Sequence, residues 1–250
     1  IALAVIVALH AAAALKHHYL DRDRTLSRML PGLPAPDAAP AAPALFTTPL
    51  ALDEIKRSLA IDPNYGQAFV LRGLVYMRLQ DVALADESFR RALQINPRDA
   101  DAQHSYGLFA CEQGRYAQAN DLFNQALANP VYGGRGRTFL VQGICQIRAG
   151  QLPEAEASLA RAYEFDAGNP IAAYNLASLR FRRGDAQGAQ FIIRRVNNSD
   201  LANAETLWLG IKVERQLGNT AAVTQLAQQL NQHLRSVRAQ AEQAAKVKGK

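Results

Sequence analysis

The sequence is poor in aromatic residues, in cysteine and in runs of β-branched residues. Aromatic residues make up 7% of the 250 residues, Trp208 is the one tryptophan, and there are two cysteines. Alanine supplies much of the 49% that is hydrophobic. A chain rich in alanine, glutamine and arginine, with few β-branched runs, favours closely packed helices over sheets. Its length is sufficient for one or two domains.

The sequence also lacks the residue clusters of a catalytic centre. Three of the five histidines lie within the first 18 residues, and His104 has no cysteine or carboxylate at the spacing of a metal ligand. We expect His104 to be solvated or to line a binding groove. The glycines of VYGGRGR at 131–137 follow no strand, which favours a longer turn over a phosphate-binding loop. We therefore predict a protein that is not an enzyme and has no cofactor or metal.

The net charge of +6 does not come from a long basic run with interleaved aromatic residues. Such a run is typical of nucleic-acid-binding proteins, so we expect no nucleic acid among the partners. Much of the excess positive charge follows residue 234, where five basic residues accompany one acid, Glu242. This distribution predicts a solvated basic tail over residues 238–250.

The N-terminal segment is strongly apolar. Residues 1–15 contain fourteen apolar residues and one histidine, which is shorter than the roughly 20 residues of a membrane span. The segment 1–20 fits a secretory signal or an inner-membrane anchor, and its alternative is a plain apolar helix. Membrane association of the chain is expected through this segment. Six prolines among residues 31–49 then predict an extended linker over residues 21–49.

From residue 50 onward the sequence repeats itself at intervals of 34, 36 and 34 residues. Small or large apolar residues recur in four columns with this one spacing, which is the signature of a structural repeat. The columns are Gly73, Gly107, Gly143 and Ala177; Ala85, Ala119, Ala155 and Ala189; Phe89, Phe123, Leu159 and Ile193; and Ala92, Ala126, Ala162 and Val196.

Each unit is predicted to contain two antiparallel helices. Tight turns join them at 79–81, 113–115, 149–151 and 183–185. The small residue of the first helix lets the second helix approach closely, and the large residues fill the space around that crossing. Pro63 and Pro97 end a second helix and turn the chain into the next unit.

A 34-residue period of paired helices resembles the tetratricopeptide repeat (TPR). The expected fold is all-α, a TPR right-handed superhelix of antiparallel helix pairs whose first helices line a concave face. The TPR domain is predicted over residues 50–237, with a half-unit at 51–65, whose first helix is replaced by the proline-rich stretch. Full units are predicted at 66–99, 100–135, 136–169 and 170–203, and a weaker one at 204–237, with Gly218 at its turn.

The face formed by the first helices is the expected protein-binding groove. An apolar strip edged with basic residues suits an amphipathic or extended peptide of some acidic character, although part of the strip would belong to the core. The residues predicted to line the groove are Val70, Leu74, Met77, Arg78, His104, Leu108, Leu140, Ile144, Ile147, Arg148, Tyr174, Phe181, Arg182, Trp208 and Lys212.

The two cysteines lie on the first helices of neighbouring units. Because these helices pack side by side, the thiols of Cys111 and Cys145 could meet there. One interpretation is a pair of small buried apolar residues. The other is a disulfide, as expected of an exported chain, which would stabilise the fold by roughly 3–4 kcal/mol.

The middle of the sequence resembles the type IV pilus biogenesis and stability proteins, the PilF/PilW family of TPR pilotins. The similarity lies in AQHSYGLFACEQGRYAQANDLFNQALANPVY at 102–132 and in the segment that begins GICQIRAG at 143. Its distinctive points include Tyr106 with Gly107, Cys111 followed by Gln113 and Gly114, and the turn ALANPVY. LWLGIKVERQLGN at 207–219 is similar to a late unit of that family, and the resemblance covers about residues 50–235.

This resemblance implies a periplasmic protein on the inner face of the outer membrane. Such pilotins bind the secretin subunit of the type IV pilus system and promote its localisation and oligomerisation. Members are normally lipoproteins, and neither cysteine of this sequence lies near residue 1. The family also implies the pairing of Cys111 with Cys145, which some members have. The alternative function is a general TPR scaffold, tethered to the inner membrane, for another envelope or secretion complex.

Overall fold

The computed structural model describes residues 48–248; the predicted signal or anchor and nearly all of the linker lie outside them. The described residues form eleven α-helices and no strand, so the prediction of an all-α fold is confirmed. The helices are α1 (Thr48–Ile61), α2 (Gly66–Arg78), α3 (Val82–Ile95), α4 (Ala100–Glu112), α5 (Tyr116–Ala128), α6 (Arg135–Arg148), α7 (Leu152–Phe165), α8 (Pro170–Arg182), α9 (Ala186–Asn197), α10 (Ala204–Gln216) and α11 (Thr220–Lys248).

The chain divides into two compact units of structure. One contains the described residues among 43–180, and the other contains the described residues from 181 onward. In the first, α2 packs on α3, α4 on α5, and α6 on α7; in the second, α10 packs on α11. The pairing of consecutive helices follows the repeat predicted from the sequence.

The connections within the pairs use a left-handed backbone residue to reverse the chain. Gly114, Gly150 and Gly218 have φ of 73°, 76° and 76°, a region that glycine adopts without steric cost. Gln80 holds the same place in the first pair with φ of 62°. The next helix then begins at a capping residue in several pairs; Asp81, for example, accepts a hydrogen bond from the N–H of Leu84 at 3.1 Å.

Glycine permits the close crossing of the two helices in each pair. A β-carbon at Gly107 would lie 2.6 Å from Cε1 of Phe123, and one at Gly143 would lie 2.6 Å from Cγ of Leu159. Phe123 and Leu159 are fully buried. The close crossing therefore requires a glycine opposite a large side chain, as the residues that recur with the repeat spacing predicted.

A core cluster joins buried residues of the neighbouring helices α2 to α6. The ring of Phe89 on α3 stacks on Tyr106 of α4 at 5.6 Å between centroids, and it contacts Phe109 at 5.5 Å. Aromatic pairs at such distances add to the stabilisation from area burial. In the residues from 181 onward, a separate core joins Leu207 and Ile211 of α10 to Leu226 of α11.

Polar pairs accompany this core where one repeat unit meets the next. Asp86 of α3 accepts hydrogen bonds from Arg115 at 2.8 Å and from the hydroxyl of Tyr106 at 3.0 Å. One unit later, Asn120 donates to the side-chain oxygen of Gln151 at 3.1 Å. Asp86 and Asn120 occupy the same column, so the two junctions use one position with different chemistry.

The last helix is longer than the unit predicted at 204–237. α11 continues to Lys248, so residues 238–248 extend this helix and do not form a separate tail. The reason lies in the sequence, because no glycine or proline occurs between Thr220 and Gly249. Within residues 48–248, no helix is both long enough and apolar enough to cross a membrane.

Candidate protein-binding face

The first helices α2, α4 and α6 of residues 43–180 lie side by side and present a mixed apolar and basic face. Its apolar side chains are half-buried, so that they remain accessible in part, and its two arginines are exposed. Leu74 and Met77 also pack in part against the core. We call this set the first-helix face: Leu74, Met77, Arg78, Leu108, Leu140, Ile144, Ile147 and Arg148.

Two residues predicted to line the groove do not reach its surface. Val70 and His104 are each only 5% exposed, so the prediction was wrong for both. Val70 belongs to the buried core cluster that contains Phe89. The repeat spacing indicates which helix face a residue occupies, but the depth of that residue depends on the side chains packed over it.

His104 is covered by residues from the longer connection and from the next first helix. Its Nδ1 lies 2.8 Å from the hydroxyl of Thr138, which is itself 3.1 Å from the hydroxyl of Tyr132. Its ring also packs 6.1 Å from that of Phe123. Burial, with a smaller contribution from the positive charge of Arg137, lowers the pKa of His104 to about 4. His104 is thus a neutral core residue that links α4 to α6.

The remaining predicted groove residues are described within their own structural units. Tyr174, in residues 43–180, is half-buried, as is Phe181, and Arg182 is exposed. Trp208 is half-buried against the core of α10 and α11. Burial lowers the pKa of Lys212 from its ordinary value.

An ion pair on α4 and α6 was missed by the sequence analysis. Arg137 of α6 donates to the carboxylate of Asp101 on α4 at 3.1 Å, and both side chains are exposed. Nearby, Gln67 of α2 donates to Asp99 at 2.9 Å. Gln67, Asp101 and Arg137 follow the same 34- and 36-residue spacing as the groove columns. Extending those columns by one helical turn would have found them.

A disulfide joins α4 to α6 beside the first-helix face. The Cα atoms of Cys111 and Cys145 are 5.9 Å apart, within the range that a disulfide requires. Both residues are buried. The bond links the first helices of neighbouring repeat units and therefore holds Leu108 and Ile144, which lie on those helices, in a fixed relation.

A buried carboxylate organises the residues from 181 onward. Glu214 is 1% exposed and accepts hydrogen bonds from Gln190 at 2.8 Å, Arg194 at 2.7 Å and Asn219 at 2.6 Å. Burial raises the pKa of Glu214, but the hydrogen bonds from Arg194, Asn219 and Gln190 outweigh it and hold this pKa below its ordinary value. The network is structural, since it ties α9 and the turn that precedes α11 to α10.

The described part of the chain offers contact surfaces and no recognisable reaction centre. Over residues 48–248, no group of three or more histidine, cysteine, aspartate or glutamate residues could hold a metal ion. The first-helix face is suited instead to packing against apolar side chains, with Arg78 and Arg148 available to acidic groups.

Comparison with known proteins identifies the class to which this architecture belongs. The sequence profile of the tetratricopeptide repeat matches residues 50–133 and 139–191, more than half of the chain. Together with the paired helices and their glycine crossings, this match defines a tetratricopeptide-repeat protein.

Similarity to individual proteins shows which family of tetratricopeptide-repeat proteins the chain belongs to. The chain is 26% identical over 161 residues to the type IV pilus assembly protein PilF of Pseudomonas aeruginosa, a match that covers 64% of each protein. The crystal structure of PilW, a widely conserved type IV pilus biogenesis factor, is 31% identical; the similarity has a TM-score of 0.64 and covers 76% of this chain and 90% of PilW. A structure of P. aeruginosa PilF, 23% identical with a TM-score of 0.68, shares the fold over 77% of this chain and 90% of that one. The chain belongs to the PilF/PilW family of type IV pilus biogenesis TPR proteins.

Proposed function

We propose that this protein is a pilotin of the type IV pilus system. It binds the outer-membrane secretin subunit in the periplasm and promotes the localisation and oligomerisation of that subunit, without catalysing a reaction. Membership of the PilF/PilW family supports a role in pilus biogenesis. The disulfide between Cys111 and Cys145 supports an oxidising compartment such as the periplasm, because structural disulfides persist there.

The observation that carries the binding proposal is the first-helix face. Leu108, Ile144 and Ile147 remain half-exposed on α4 and α6, although their neighbours on the same helices are buried. Arg78 and Arg148 flank them and are exposed. This combination fits an amphipathic or extended segment of the secretin that carries apolar anchors and acidic residues.

A charge placed in the first-helix face tests the proposal. In a strain that lacks the gene, wild-type protein should restore heat-resistant secretin multimers and twitching motility. Ile144→Glu should restore neither, because it puts a carboxylate among apolar anchors. Val131→Glu is the matched control, since Val131 is 86% exposed and lies outside the first-helix face.

Two outcomes would contradict the proposal. If deletion of the gene leaves secretin multimers and piliation unchanged, the protein is not a pilotin. If Ile144→Glu complements as well as Val131→Glu, while both accumulate to the wild-type level, the first-helix face is not the secretin-binding surface.

A further inference from the structure

The second repeat unit departs from its neighbours at one pair of positions. In the first unit, the guanidinium of Arg91 lies over the ring of Phe69 at 5.9 Å, and in the third, Arg161 lies over Phe139 at 5.8 Å. The 34- and 36-residue spacing places Gln103 and Gln125 at these positions in the second unit. A cation–π pair is thus replaced there by two neighbouring carboxamides.

The carboxamide of Gln103 is buried and only half satisfied. The residue is 4% exposed, and its Nε2 donates to the carbonyl oxygen of Pro97 at 2.7 Å and lies 3.4 Å from Oε1 of Gln125. These contacts fix the orientation of the amide. Its Oε1 is buried and has no hydrogen-bond partner among the described residues. A buried acceptor without a donor is rare in folded proteins and costs stability.

A cavity lies at this place. It has a volume of about 530 Å³ and opens between the connection that precedes α4 and the end of α5. Proline rings and an alanine methyl group give it apolar walls, and the carboxamides of Gln103, Gln125 and Asn129 give it polar ones. The residues that define it are Pro97, Arg98, Gln103, Gln125, Ala128, Asn129 and Pro130.

We propose that this cavity binds the carboxamide side chain of an asparagine or glutamine in a partner peptide. The ligand NH₂ group donates to Oε1 of Gln103, and the ligand oxygen accepts from Nε2 of Gln125. A primary carboxamide presents its oxygen and its NH₂ on one edge, and so it can meet both groups. A trans peptide group places its N–H and C=O on opposite edges and can meet only one of them.

The charge at the cavity selects the neighbouring residue of the peptide. Arg98 is exposed at the wall of the cavity, and its side chain forms no ion pair with any residue in the described range. An acidic residue beside the carboxamide residue would meet this guanidinium. The cavity is separate from the first-helix face, so the proposal stands whichever partner that face binds.

Titration of the ¹⁵N-labelled protein with two blocked peptides tests the recognition. The first is N-acetyl-Glu-Gln-Ala as its N-methylamide, so that the glutamine side chain carries its only primary carboxamide. The second has methionine in place of glutamine. We expect millimolar glutamine peptide to shift the side-chain NH₂ signals of Gln103 and Gln125, and the methionine peptide to bind at least about tenfold more weakly. Equal binding of the two peptides, or no shift with either, would overturn the proposal.

The chain itself supplies the control variant. Gln103→Phe combined with Gln125→Arg recreates the pair seen in the first and third units, replaces both glutamine carboxamides and removes the unsatisfied oxygen. We expect this double variant to unfold at a higher temperature than the wild type and to bind the glutamine peptide at least about tenfold more weakly. If it does not fold, Gln125→Leu, which removes the exposed carboxamide and leaves the hydrogen bond from Gln103 to Pro97 in place, should weaken binding in the same way. Undiminished binding in either variant would contradict the assigned site.

Discussion

The ring of Phe89 lies directly against the backbone of Gly73, so that a β-carbon added at residue 73 would fall 2.7 Å from Cε1 of the ring. Real β-carbons essentially never approach a neighbour so closely. The two helices of the unit are therefore held together by the contact of a large side chain with a bare backbone, and this contact recurs at Gly107 and Gly143.

Replacing the crossing glycine should destabilise the protein. Gly107→Ala places a methyl group against the buried ring of Phe123, and we expect the free energy of unfolding to fall by about 1–3 kcal/mol. Gly133→Ala is the matched control, because a β-carbon there meets nothing within 4 Å. Urea denaturation measures the stability of both variants. Equal stability would contradict the claim that the close helix crossing requires glycine at residue 107.

Replacing Gln80, the left-handed residue in the turn of the first helix pair, by glycine should stabilise the protein. Gln80 has φ of 62°, which is strained for a residue with a β-carbon, and its side chain is exposed. We expect Gln80→Gly to raise the free energy of unfolding by roughly 0.5–1 kcal/mol. Gly114→Ala, at φ of 73° in the next unit, should lower it by about 1 kcal/mol. Thermal denaturation of both variants decides the matter; a less stable Gln80→Gly protein would show that no strain exists there.

The disulfide should contribute measurably to stability. The bond closes a loop between residues 34 apart, and in the chain-entropy estimate it is worth roughly 3–4 kcal/mol. We expect Cys111→Ser combined with Cys145→Ser to lose about this amount in urea denaturation. Thiol titration of denatured protein isolated from the periplasm should detect no thiols before reduction and two afterwards. Two thiols without reductant would mean that the cysteines are not paired in the cell.

The buried histidine predicts a loss of stability on mild acidification. The pKa of His104 is about 4 in the folded protein against an ordinary 6.5, so the unfolded chain binds the proton first as the pH falls. The contribution is constant above pH 6.5, declines between pH 6.5 and about 4, and reaches a loss of about 3 kcal/mol below that range. His104→Leu should remove this component. Unfolding free energies that follow the same pH dependence in both proteins would contradict the buried neutral state.

The buried carboxylate of Glu214 should be required for the stability of the fold. Glu214→Gln keeps the shape but places an NH₂ group among the donors of Gln190, Arg194 and Asn219. We expect a loss of roughly 2–3 kcal/mol in the free energy of unfolding, because buried donors are left unpaired. Gln216→Ala, at an exposed position of the same helix, is the control and should change stability little. If Glu214→Gln lowers the free energy of unfolding as little as the control does, the hydrogen bonds to Glu214 do not contribute to stability.

The repeat columns were sufficient to predict the helix pairs, because the spacing of Gly107 and Phe123 encodes a crossing within one unit. The columns did not predict which residues of the binding face are buried and which are accessible. His104 and Leu108 lie one turn apart on α4, yet only His104 is buried, because Thr138 and Tyr132 pack over it. Those contacts depend on the path of the longer connection after α5, which no local pattern specifies. The cavity beside Gln103 was not predicted from the sequence for a similar reason, since part of its wall comes from two connections.

The polar junctions between units bear on how such a chain can change during evolution. Repeat genes gain and lose whole units by unequal recombination, and a uniform array tolerates this because every junction is alike. Here the junctions differ: Asp86 meets the guanidinium of Arg115, whereas Asn120 meets the amide of Gln151. Excision of residues 100–135 would bring Asp86 opposite Gln151 and remove its ion pair with Arg115, which leaves Asp86 only the pair with Arg90 on its own helix. The order of the units is therefore encoded in their junctions, which favours an array of fixed length.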